Sequence, residues 1–111
     1  MQKESLTALV RHHLETAATA SSGRSAHTVH GGHEHALRQT LIALRAGSSL
    51  DEHESPGEAT LQVLEGRVTL VAGEDRGDGS PGDLIVIPDV RHSLEAVEDS
   101  VVLLTVCKSL D

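Results

Sequence analysis

The sequence contains no Phe, Trp or Tyr and a single Cys. Without aromatic rings there are no stacking platforms for bases or sugars and no large rigid anchors for a core. With only Cys107, an internal disulfide is excluded. Its place at the end of the apolar run 101–106 predicts a buried small hydrophobe rather than a reactive thiolate, which needs a polar, electropositive setting. Positive charge is scarce too. Nine Lys and Arg stand against 17 Asp and Glu, a formal net charge of -8, and the cations are scattered. No basic patch exists to neutralise a nucleic-acid backbone or an anionic lipid surface, so neither is expected as a partner. Long apolar runs are missing as well. None approaches the roughly 20 residues that span a bilayer, and the start lacks the apolar stretch of a signal peptide. A soluble, cytoplasmic protein is the expectation.

What the chain does carry is Leu, Val, Ile and Ala within 38% hydrophobic content over 111 residues, enough for one hydrophobic core. Leu6, Leu9, Val10, His13, Leu14 and Ala17 recur at helical spacing over residues 5–20, with Ser5 as N-cap. His12 and His13 read as surface or helix-packing residues. Ser21, Ser22, Gly23, Arg24 and Ser25 break the helix, giving a helix and linker over 1–22 and one further domain over 23–111.

After the linker the pattern is one of strands, predicted at 36–44, 58–65, 67–72, 84–87, 91–97 and 100–106. Gly and Pro-Gly punctuation between them suits tight antiparallel turns, so the fold class is all-β with one N-terminal α-helix, a small sandwich or barrel. Residues 58–65 alternate imperfectly and 101–106 hardly at all, which predicts strands covered on both faces by the helix, a second sheet or another subunit. A homodimer is therefore expected. Glu74, Asp75, Asp78 and Asp83 lie in a glycine-rich stretch whose spacing matches no calcium loop and which reads as a solvated turn.

Two stretches carry more specific information. The first runs from Gly47 through His53, Ser55, Pro56, Gly57, Glu58 and Ala59 to Gly66, and the second from Gly82 through Pro88 to His92. Together they resemble the two motifs of the cupin family over roughly residues 37–106. In that family's first motif a Gly is followed after five residues by His-x-His, then three or four residues, Glu, six residues and Gly. In the second, Gly, five residues, Pro-x-Gly, two residues and His follow one another. The resemblance implies a small cupin jelly-roll β-barrel with four metal ligands at its mouth.

Carried over position by position, the ligands become His53, Ser55, Ala59 and His92, so two of four survive. The second motif is also one residue short between Pro88 and His92 and lacks its Gly. A serine hydroxyl is a poor ligand for a divalent ion, and alanine offers none. Strand alternation points Glu58 away from the face of Ala59. His33 or His35, within the cluster His27, His30, His33 and His35, are the candidate replacements, and the metal would be Zn, Ni, Fe or Mn if one binds at all. A metal-free site would use His53 and His92 as hydrogen-bonding or proton-accepting groups. Arg38, Gln39, Ser55, Leu61 and Val63 complete the candidate ligand-binding set, one of Arg38 and Gln39 facing inward and Arg38 favouring an anion.

Three functions follow from this resemblance. The first is a stand-alone barrel that binds or senses a small molecule without the standard metal centre. The second is a metal-dependent oxygenase, isomerase or epimerase using His53, His92 and a recruited His33 or His35. The third is a regulatory or structural partner protein, which with one helix and no helix-turn-helix would need another protein to reach DNA.

Overall fold

A computed structural model describes residues 1–54 and 57–108. Helix α1 (Leu6–Thr19) begins where the sequence places it, the Ser5 hydroxyl accepting from the Ala8 N–H. Nine strands follow: β1 (Arg24–His30), β2 (Leu37–Leu44), β3 (Ser49–His53), β4 (Glu58–Glu65), β5 (Val68–Ala72), β6 (Asp75–Gly79), β7 (Leu84–Val86), β8 (His92–Ala96) and β9 (Ser100–Cys107). They form two antiparallel sheets, one ordered β1-β2-β9-β4-β7 and the other β3-β8-β5-β6. The result is a jelly-roll β fold.

Between the sheets Ile42, Leu44, Ala59, Leu61, Val63, Val102 and Val106 from one sheet meet Val68, Leu70, Leu94 and Ala96 from the other. The alternate residues of β2 and β9, Leu41, Ala43, Val101 and Leu103, face the opposite way and are sealed by Leu6, Leu9, Val10, Leu14 and Ala17 of α1. β9 hardly alternates in hydropathy because it is buried on both faces, and the helix is what covers the outer one. Beyond the helix the outer side of β7 stays bare, with Leu84 and Val86 exposed. Among the described residues no helix is long and apolar enough to cross a membrane.

The closing Gly of the first motif, Gly66, turns β4 into β5 at φ 79°. A Cβ there would collide with the Asp99 carbonyl and with Ser100, so both the conformation and the space demand glycine.

Three predictions fail here. Residues 24–30, read as linker and histidine loop, are β1; Asp75–Gly79, read as a turn, is β6; and β3 was not predicted as a strand. Each lies at the edge of its sheet. Edge strands carry charged and polar residues that discourage further pairing, which erases the apolar signal. Cys107 is exposed rather than buried, because β9 runs four residues past Leu103, its last residue in the cluster under α1.

Candidate functional site

β2 starts, β3 ends, β4 starts and β9 ends at one mouth of the barrel, as the register Leu37↔Cys107↔Glu58 and the short β2–β3 connection require. His53 and His92 meet there. They are cross-strand partners with ring centroids 4.5 Å apart, edge to face. The pairing depends on a bulge. From Leu50↔Leu94 to His53↔His92, β3 advances three residues while β8 advances two. Leu50 packs toward the core, so plain alternation would send Glu52 inward and His53 outward; the extra residue re-aims His53 onto His92.

His92 is 3% exposed, whereas His53 is exposed at the strand end. Each ring is held by its own chain, with His53 Nδ1 2.9 Å from the Asp51 carbonyl and His92 Nδ1 2.8 Å from that of Val90. A carbonyl only accepts, so both Nδ1 atoms carry the proton in these contacts. Each neutral ring then keeps a lone pair on Nε2. This is the orientation a metal ligand or a proton acceptor needs. The shortened second motif still delivers His92, because the Val90 N–H bonds the Pro88 carbonyl at 2.8 Å and makes a tight three-residue turn.

On the other face of the same strand ends, Arg91 spans Glu52 and Glu54, with Nε and Nη1 each 2.9 Å from a carboxylate oxygen. Those hydrogen bonds raise the Arg91 pKa above its ordinary value. The clamp ties the end of β3 to the start of β8 where the two histidines meet and occupies the carboxylates on either side of His53 in sequence. The Glu-His-Glu and Arg-His alternation at 52–54 and 91–92 was the available signal for it.

The remaining predicted residues divide. Ala59, 3% exposed, faces inward opposite Val106, and no bulge interrupts β4 there, so Glu58 points outward as alternation predicts. A cleft of about 280 Å³ opens beside Ala59, bounded by Gly57, Glu58, Val86, Ile87 and Asp89. Arg38 is the inward member of its pair, also opposite Val106. Gln39 lies on the helix side and donates to the Thr105 hydroxyl at 3.2 Å. Leu61 and Val63 are core side chains rather than pocket lining, since a barrel this small fills its interior with side chains. Ser55 lies outside the described residues. His35 packs against His30, ring centroids 4.8 Å apart, and His33 lines a cleft with Arg38 and Lys108.

Among the described residues, no three His, Cys, Asp or Glu side chains gather as a metal site. His33 and His35 therefore do not complete the His53–His92 pair, and two imidazoles with an alanine at the carboxylate position do not fit a four-ligand centre.

A third histidine group sits on the outer face. His13 Nδ1 is 2.6 Å from the Ser25 hydroxyl, its ring stacks on His27 at 5.8 Å, and His12 meets it edge-on. This is the packing role expected for the helix histidines.

No family model and no curated protein sequence matches the chain. Solved structures do. A conserved protein of unknown function from Streptococcus pyogenes aligns with TM-score 0.72 and 27% identity, over 81% of this chain and 78% of the other. An RmlC-like cupin from Desulfovibrio desulfuricans gives TM-score 0.66 and 27% identity, over 76% and 81%. The salicylate 1,2-dioxygenase of Pseudaminobacter salicylatoxidans gives 0.74 and 21%, over 90% of this chain and 33% of that one. With the jelly roll in place and His53 and His92 paired at its mouth, these likenesses identify the chain as a small cupin-domain protein.

Proposed function

We propose that this chain is a stand-alone cupin barrel that binds or senses a small molecule at its mouth through His53 and His92, without a four-ligand metal centre. The cupin-fold neighbours include enzymes and proteins of unknown function, so fold alone does not choose. The observation that carries the reading is Ala59, a buried methyl group where the family pattern has a carboxylate. The Nε2 lone pairs of His53 and His92 are held ready to accept hydrogen bonds or a proton from a ligand. The same lone pairs suit a divalent ion completed by water, which makes a metal enzyme the second reading.

Elemental analysis of purified, tag-free protein separates the two. Substoichiometric metal is expected. A full equivalent of Ni, Zn, Fe or Mn that disappears in His53→Ala or His92→Ala overturns the first reading.

A further inference from the structure

The hairpin joining β1 to β2 and the end of β9 enclose a cleft of about 220 Å³, lined by Thr28, Gly31, Gly32, His33, Arg38 and Lys108. Among the described residues no carboxylate lines it, although acidic residues outnumber basic ones 17 to 9. Elsewhere Arg67, Arg76 and Arg91 each pair with a glutamate, but no ion pair to Arg38 or Lys108 is present among the described residues.

The hairpin also approaches both cations. The Lys108 ammonium donates to the Gly32 carbonyl at 3.0 Å and keeps two further N–H groups to offer. Gly31, at φ 140°, lets the hairpin fold onto the stem of Arg38; a Cβ there would stand 3.0 Å from Arg38 Cγ. The guanidinium, with its planar set of donors, matches the geometry of a carboxylate or phosphate group.

From these observations we infer that this cleft is a binding site for a small oxyanion, a carboxylate or phosphate group held between Arg38 and Lys108, with the Thr28 hydroxyl and the His33 ring on its walls. The site goes beyond the histidine pair and does not depend on it. Arg38 and Ala59 flank Val106 on the inner face of neighbouring strands, about 10 Å apart by ladder spacing.

Titration of the full chain with sodium phosphate and with citrate, at constant ionic strength, tests the inference by calorimetry and amide NMR shifts. Saturable one-to-one binding is expected, with amide shifts at residues 31–33 and 38. Arg38→Gln and Lys108→Gln, both at exposed or half-buried positions, should each weaken it about tenfold or more. Arg11→Gln, a surface cation on the helix, should leave it unchanged. His53→Ala should also leave it unchanged, which separates this site from the proposed role of the histidine pair. Shifts reproduced by sodium chloride, or affinity retained in Arg38→Gln, overturn it.

Discussion

Replacing Ala59 by Glu restores the carboxylate that the first motif lacks, and the structure sets the size of the response. Ala59 is 3% exposed and faces the inter-sheet core. A carboxyl group there without a partner should cost about 1–3 kcal/mol. The cleft of about 280 Å³ alongside gives the longer side chain an outlet, which limits overpacking. For a domain of this size each kcal/mol lowers Tm by about 4–8 °C, so the metal-free variant should melt roughly 5–20 °C below wild type. Zinc or nickel at a hundredfold excess over its Kd returns about 2.7 kcal/mol, most of that loss. Differential scanning fluorimetry with EDTA and with added metal measures both effects in wild type, Ala59→Glu, and Ala59→Glu combined with His53→Ala and His92→Ala. Recovery is expected only in the variant that keeps both histidines. If metal fails to raise its Tm, or raises that of the histidine-free variant equally, the placement of Ala59 at the lost ligand position is wrong.

Other consequences concern the helix that covers the barrel. Arg45 donates to the Ala18 and Ala20 carbonyls at 3.1 Å, and the last turn of α1 has no basic residue of its own. Arg45→Gln should therefore lose about 1–3 kcal/mol in urea unfolding with a drop in helical circular dichroism; an unchanged midpoint would show the contact to be worthless. Leu41→Ala, at a fully buried position between α1 and the sheet, should cost about 2–5 kcal/mol. Leu84→Ala, 62% exposed, should stay within about 0.5 kcal/mol, and equal losses for the two would refute the assignment of the core. Burial, then His12 and His27, lower the His13 pKa from its ordinary 6.5, so the folded state binds this proton less readily than the unfolded chain. Stability should accordingly fall as pH drops through 6.5, and His13→Asn should shallow that slope between pH 7.5 and 5; a variant with the wild-type slope contradicts the sign.

Helical periodicity fixed α1 and its buried stripe, and aliphatic content found β2, β4, β5, β8 and β9, because these elements bury side chains; β7, an edge strand with Leu84 and Val86 exposed, was legible only because its residues are aliphatic. β1, β3 and β6 were illegible for the converse reason: these three edge strands are polar, and their hydrogen bonds to a neighbour leave no trace in local composition. Motif spacing identified His53, His92 and Ala59, along with the outward direction of Glu58. It did not predict that β3 carries a bulge, and without that extra residue His53 would face away from His92. Nor did it show Arg91 clamping Glu52 and Glu54 behind the pair, or Lys108 reaching the hairpin beside Arg38, 70 residues away in sequence. The sequence by itself determined which residues are missing from the metal motif. Tertiary structure decided what stands in their place, because register and the approach of distant strands set which side chains share a face.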